Sequence, residues 1–107
     1  MRRFTTPVLP MTVPVDLTGA DVYVTIKQGQ RKLQKTGSDV ISVYDSESGK
    51  TTLTIQLSQE ETGAFLSEKQ ATVQVNWIFE NGTRSATNIK KIDVTENLLN
   101  EVIEYDD

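Results

Sequence analysis

The stretch Gln70–Glu80, QATVQVNWIFE, followed directly by Asn81-Gly82, decides the fold of this chain. Its apolar side chains fall on every second position, at Val73, Val75, Trp77 and Phe79. This alternation predicts a strand with one buried face. Asn-Gly favours a type I′ turn, so Thr83–Val94 is predicted to return antiparallel, with a bulge near Lys90-Lys91 where the alternation breaks.

Similar strand patterns recur along most of the sequence. Residues 22–27 and 50–57 alternate apolar and polar side chains, and the proline-rich stretch 3–15 reads as an extended edge strand. About seven strands with turn signals every 8–12 residues or so predict an all-β fold, an immunoglobulin-like antiparallel β-sandwich. A small open barrel would give nearly the same pattern.

Two short segments have helical signals instead. Ser58-Gln59-Glu60-Glu61 is a capping box and predicts a short helix. In residues 96–105 the apolar side chains lie on one side of a helix, which predicts a C-terminal amphipathic helical segment carrying Leu98, Leu99, Val102 and Ile103. The sequence therefore divides into a sandwich domain, 1–95, and a helical tail, 96–107, which either covers an end of the sandwich or docks on a partner.

Composition limits the chemistry of the chain. It has 107 residues, enough for one domain, with no cysteine, no histidine and a formal net charge of −4. Thiol and histidine chemistry are thereby excluded. The sequence also lacks the clustered basic residues that nucleic-acid binding requires, so no nucleic-acid partner is predicted. Three prolines interrupt the apolar N-terminal stretch, so no membrane partner is predicted. We expect no catalytic, cofactor-binding or metal-binding residues, and no enzymatic activity.

The few suggestive side chains have ordinary structural explanations. Asp45, Glu47 and Gly49 resemble a turn more than a calcium loop, and Glu60-Glu61 suit a helix start. Trp77 shares its face with core residues. Tyr23 and Ile78 lie on the faces of their strands that point away from the core. They are predicted, with the four apolar tail residues, to contact a partner.

Several longer stretches carry a resemblance to a known family. They are Met1–Pro7 (MRRFTTP), Asp21–Gly29 (DVYVTIKQG), Leu57–Gly63 (LSQEETG), Val73–Trp77 (VQVNW) and Glu96–Ile103 (ENLLNEVI). Together they resemble short proteins encoded in phages and prophages of Gram-positive, mostly Firmicute, bacteria. More distantly they resemble the amino-terminal immunoglobulin-like domain of phage baseplate upper proteins.

The resemblance implies a non-enzymatic virion structural or assembly protein, tail or baseplate associated, that resides in the host cytoplasm before incorporation. Its expected partners are other phage structural proteins, with a homo-oligomer as one option. The alternative is a small carbohydrate-binding module that recognises host surface glycan through Tyr23 and Tyr44.

Overall fold

A computed structural model describes residues 1–66, 69–99 and 101–103. The described residues form two antiparallel sheets, a five-residue helix α1 (Gln59–Gly63) and a 3₁₀ turn (Gly37–Asp39). The eight strands are β1 (Val8–Val13), β2 (Asp21–Gln28), β3 (Arg31–Thr36), β4 (Ile41–Asp45), β5 (Lys50–Gln56), β6 (Gln70–Ile78), β7 (Arg84–Ala86) and β8 (Lys90–Asp93). The predicted all-β sandwich is confirmed.

The smaller sheet has the order β1-β5-β4, and the larger has the order β3-β2-β6, with β7 and β8 both pairing with β6. The core lies between the sheets because each central strand turns alternate apolar side chains inward. Its buried members are Val13, Leu17, Val22, Val24, Ile26, Leu53, Ile55, Leu57, Phe65, Ala71, Val73, Val75, Trp77 and Val94. Trp77 therefore has the core position predicted for it.

The hairpin after β6 forms, but with a different turn. Phe79 C=O accepts from Gly82 N–H at 2.9 Å, and Phe79 N–H donates to Thr83 C=O at 2.9 Å. Gly82 has φ +85°, whereas Asn81 does not have a positive φ. The loop is thus a three-residue turn with a glycine bulge, and the predicted type I′ turn is wrong.

The returning strand divides in two, which explains why there are eight strands instead of about seven. Asn76 pairs with Ala86 in β7, but Val73 pairs with Lys90 in β8, so the register shifts by one residue between them. A bulge is therefore present, as predicted, but it is centred on residues 87–89, just before the predicted position at Lys90-Lys91, which lies within β8. Because one extra residue inverts the alternation, Lys91 shares the outer face of the sheet with Thr72.

Three buried polar side chains attach loops to the sandwich. Thr51 Oγ1 donates to Val15 C=O at 2.6 Å, and Gln28 Nε2 donates to Leu66 C=O at 2.8 Å. Thr62 Oγ1 donates to Thr5 C=O at 2.8 Å and accepts from Thr5 N–H at 3.0 Å. Each hydrogen bond compensates the desolvation of a buried polar group, so these loops are held without disulfides.

The N-terminal residues lie beside Thr95, which follows β8. Arg3 N–H donates to Thr95 C=O at 3.0 Å, and Thr95 N–H donates to Met1 C=O at 2.7 Å. Arg3 also donates through its guanidinium to Gly63 C=O at 2.8 Å, at the end of α1. The N-terminal residues thereby connect the helix to the strand that precedes the tail.

The predicted C-terminal helix is absent from the described part of its range, 96–99 and 101–103, which has bends and irregular backbone; residues 100, 104 and 105 lie outside the described residues. Asn97 Oδ1 accepts from Leu99 N–H at 3.1 Å, a local bond that competes with helix formation. Gln59 Nε2 donates to Ile103 C=O at 2.9 Å, and Gln59 Oε1 accepts from Ile103 N–H at 2.7 Å. A helix of about ten residues is only marginally stable in water. The hydrogen bonds of the irregular tail therefore stabilise it more than helix formation would.

Candidate interaction surfaces

The tail keeps its apolar side chains exposed although its backbone is bound to the sandwich. Gln59 holds Ile103, and Asn97 Nδ2 donates to Arg3 C=O at 3.1 Å. Leu98 is 98% exposed, and the other members of the predicted partner-binding set in the tail are also exposed: Leu99, Val102 and Ile103. The tail backbone therefore docks in cis, and its apolar side chains point to solvent.

Tyr23 and Ile78 lie apart from the tail, on the outer face of the larger sheet. Both line a shallow depression of about 600 Å³ on that face. Tyr23 is 37% exposed and lies opposite Asn76, while Ile78 lies between Asp21 and Arg84. The six residues predicted to contact a partner are thus divided between two regions. Their role in binding stays a prediction.

The outer face of the larger sheet carries cations and amides in rows that follow the strand register. One row reads Lys32, Lys27, Thr72 and Lys91 across β3, β2, β6 and β8. The next row reads Gln34, Thr25 and Gln74, and the row after it reads Thr36, Tyr23, Asn76 and Ala86. We call these three rows, with Ile78 and Arg84, the polar face.

The outer face of the smaller sheet is different, because its centre has no charged side chain. Ile41 and Val43 are 62% and 61% exposed, and they lie opposite Thr54 and Thr52 of β5. We call this surface the uncharged face; it consists of Val8, Pro10, Thr12, Ile41, Val43, Thr52, Thr54 and Gln56. Asp45 and Lys50 pair at its end.

Among the described residues, strand β4 pairs with β5 alone, so it is also an open edge of its sheet. Leu57 N–H donates to Pro7 C=O at 3.0 Å, so the odd-numbered residues near β5 turn their backbone groups towards β1. Because backbone direction alternates along a strand, the N–H and C=O groups of the even-numbered residues, such as Thr52, point towards β4. Consequently Val43 is bonded within the sheet, whereas the backbone groups of Ser42 point away from it.

A second depression, of about 560 Å³, lies where the two sheets separate. Tyr44 and Ser42 of β4 line one side, and Tyr23 and Thr36 line the other. The structure thus brings together the two tyrosines that the carbohydrate-binding alternative requires. Tyr23 borders both depressions.

The acidic side chains identified in the sequence serve local structure. Asp45 accepts from Glu47 N–H at 3.0 Å and from Ser48 Oγ at 3.1 Å, so its carboxylate stabilises the turn. Ser58 Oγ accepts from Glu61 N–H at 3.1 Å, and Glu61 accepts from Ser58 N–H at 2.8 Å, which confirms the capping box. Over residues 1–66, 69–99 and 101–103, no three metal-ligating side chains lie together.

Glu61 also forms an ion pair with Lys35 Nζ at 2.8 Å. Burial raises the pKa of the Glu61 carboxyl, but the ion pair and the Ser58 hydrogen bonds together lower the pKa below its ordinary value of 4.5. The pair connects α1 to β3.

No helix in the described part of the chain is long and apolar enough to cross a membrane.

The sequence reasoning did not identify the uncharged face or the lysine row. An alternating pattern cannot say which face of a strand is covered or whether the strand is an edge of its sheet. Lys91 is 64 positions from Lys27 in the sequence, and it shares a row with Lys27 and Lys32 only because of strand order and the bulge.

Comparison with known proteins gives no family for this chain. No protein-family model matches it, and no curated protein is a significant match. The resemblance to phage proteins therefore rests on the sequence stretches alone, and function has to be argued from the surfaces.

Proposed function

We propose that this protein is a non-enzymatic structural subunit of a phage particle, tail or baseplate associated, which acts through contacts with other phage structural proteins. The observation that carries the contact role is the uncharged face with β4 as its open edge. The phage assignment comes from the sequence resemblance. On this proposal the protein resides in the virion, and in the host cytoplasm during assembly.

The uncharged face suits burial against protein. Ile41, Val43 and Val8 expose more than half of their surface, although fully burying one such side chain contributes about 1.5–3 kcal/mol. Completing the burial of all three therefore contributes roughly 3 kcal/mol, which is less than association costs in lost freedom. Further stabilisation is available at the open edge, where a strand of a neighbouring subunit can hydrogen bond to Ser42 and Tyr44.

Exposed edge strands in proteins that do not assemble are commonly protected by lysine, proline or a covering loop. Edge strand β1 has such protection, because Pro10 lies within it and cannot donate a hydrogen bond. β4 has neither lysine nor proline in its five residues. This contrast supports β4 as the edge that pairs with a partner.

The first experiment tests the location. Particles induced from a bacterium that encodes the chain should contain it in a fixed ratio to the tail proteins when they are purified and analysed by quantitative mass spectrometry. Its absence from purified particles, with abundant protein left in the lysate, would refute the virion role.

The second experiment tests the surface. Complementation of a deletion phage with Ile41→Lys/Val43→Lys should abolish incorporation, whereas the matched variant Lys27→Gln/Lys32→Gln should be incorporated normally. Light scattering after size exclusion measures the molar mass of the full chain and of a truncation after Thr95. A mass above the monomer in both would indicate self-association without the tail, whereas a mass that falls only in the truncation would indicate a tail contribution. Normal incorporation of the Ile41/Val43 variant would exclude the uncharged face as the contact.

Carbohydrate binding is a second candidate because Tyr44 and Tyr23 line one depression. Aromatic rings supply apolar area beside a polar group, a combination suited to sugar rings. Glycan-array binding that is retained in Tyr44→Phe and lost in Tyr44→Ala would support this function. An array without any bound glycan would exclude it for the glycans tested.

A further inference from the structure

We infer that the polar face of the larger sheet is a binding site for an acidic polysaccharide, with the row of lysines holding its carboxylate or phosphate groups. The inference specifies a ligand class for the second candidate function. The lysines that carry it do not line the tyrosine depression, although Tyr23 borders both regions. It is independent of the assembly role, since the uncharged face belongs to the other sheet.

The first argument is the arrangement of charge. Lys27 and Lys32 are directly opposite each other on β2 and β3, and Lys91 lies two strands further along the same row. Neighbouring strands are about 4.8 Å apart, so the three ammonium groups span roughly 15 Å across the sheet. Such spacing can hold successive acidic groups of an extended polymer.

The second argument is that this arrangement is unfavourable for the isolated protein. Like charges directly opposite in an antiparallel pair are destabilising. The ion pair found among the described residues joins Lys35 to Glu61, and it lies away from this row. Edge protection accounts for Lys32 and Lys91, which lie on the edge strands β3 and β8, but not for Lys27 on the central strand β2. An anionic ligand would bring all three together favourably.

The third argument concerns the rest of the face. Gln34, Gln74 and Asn76 lie in the rows next to the lysines, and amides both donate and accept hydrogen bonds, as sugar hydroxyls do. Gln74 Nε2 donates to Thr87 C=O at 3.0 Å, which fixes the side chain while its oxygen remains as an acceptor. Tyr23 borders the same depression and adds an apolar ring surface.

Charge elsewhere favours a polysaccharide over nucleic acid. Asp21 pairs with Ile78 at one end of the face, and Asp93 pairs with Gln70 at the other. Asp93 lies in the row next to the lysines, and Asp21 shares its row with Arg84, so the cationic row is short and has a carboxylate beside it. The whole chain has a net charge of −4. A densely charged nucleic acid needs a longer basic footprint and aromatic platforms for its bases.

The test uses an oligogalacturonate hexamer, its fully methyl-esterified form and a dT oligonucleotide as probes, with the full chain and isothermal calorimetry. The esterified hexamer has the same sugar ring without the charge. A second anionic probe, a glycerol phosphate oligomer, distinguishes phosphate from carboxylate as the source of the acidic group. Binding of either acidic oligomer that is weakened by salt and is lost on esterification is the expected result.

The variant Lys27→Gln/Lys32→Gln should weaken that binding by about tenfold or more, because two charge-assisted contacts are lost. The control Arg31→Gln/Lys50→Gln removes the same charge outside the polar face and should bind as the unaltered chain does. Thermal melting should show the Lys27/Lys32 variant to be as stable as the unaltered chain, or more so, which a purely structural role would not give.

Several outcomes would overturn the inference. They are equal binding of the methyl ester, equal weakening in the control variant, tighter binding of the oligonucleotide, or no binding of either acidic oligomer at millimolar concentration. Loss of array binding in Tyr44→Ala together with unchanged affinity in Lys27→Gln/Lys32→Gln would place a neutral glycan in the tyrosine depression. That result would refute this inference while leaving the second candidate function intact.

Discussion

Gly63→Ala tests how the N-terminal residues are packed against α1. Gly63 is the last residue of α1, and a Cβ added there would overlap the Phe4 ring, with Cδ1 and Cζ at 2.7 and 2.8 Å. Phe4 itself has φ +57°, a conformation costing about 1–3 kcal/mol that neighbouring contacts must maintain. Arg3 and Thr5, on either side of it, are both hydrogen bonded to the rest of the sandwich.

Two effects of opposite sign determine the result. Alanine in place of a helical glycine contributes about 0.5–1 kcal/mol to stability. Overpacking against a ring that cannot move freely costs about 1–3 kcal/mol. We therefore expect Gly63→Ala to lower the free energy of unfolding by up to about 2 kcal/mol in the natural background.

The Phe4→Ala background removes the ring and should reverse the sign, so that the same substitution stabilises by up to about 1 kcal/mol. Urea denaturation measures all four proteins, because Trp77 is the single tryptophan, is 6% exposed and reports unfolding by its fluorescence. The interaction term of this double-mutant cycle should be about 1–3 kcal/mol. A term below about 0.5 kcal/mol, with Gly63→Ala stabilising in both backgrounds, would refute the packing argument.

Two further predictions concern β4 and the ion pair at α1. Ser42→Pro should leave the melting temperature nearly unchanged, whereas Val43→Pro, which removes a hydrogen bond to β5, should lower it clearly; equal losses would contradict the assigned backbone directions. The folded pKa of Glu61 is lowered by Lys35 and Ser58 despite the opposing effect of burial, so its contribution is complete above about pH 4.5 and is lost as the pH falls through the folded pKa. The stability difference between the unaltered chain and Glu61→Gln, measured by urea titration, should therefore shrink as the pH falls below about 4.5. A difference that is constant with pH would contradict the stabilising role of the ionised Glu61 carboxylate.

Alternation along the sequence was sufficient to predict much of the fold, because burial of one sheet face imposes a period of two. Val73, Val75 and Trp77 are buried as that period requires, and the capping box at Ser58 forms since both of its partners lie within four residues. Turn type was less predictable. Asn81-Gly82 is compatible with several hairpin loops, and the pairing of Phe79 with Thr83 selects one of them.

The tail shows the limit of a local pattern. Leu98, Leu99, Val102 and Ile103 have helical spacing, but a short helix forms only where its apolar face is buried. The bonds from Gln59 to Ile103 and from Asn97 to Arg3 join residues more than 40 positions apart, and nothing in residues 96–105 reveals them.

The sequence by itself determined that this chain is a β-sandwich with an apolar core and no histidine or cysteine chemistry, because those properties depend on composition and on neighbours within a few residues. Only the tertiary structure decided the character of the surfaces. Strand order made β4 an edge, and a one-residue bulge turned Lys91 to the side of Lys27 and Lys32. Which side chains share a face depends on pairing between distant strands, and pairing is a property of the whole fold.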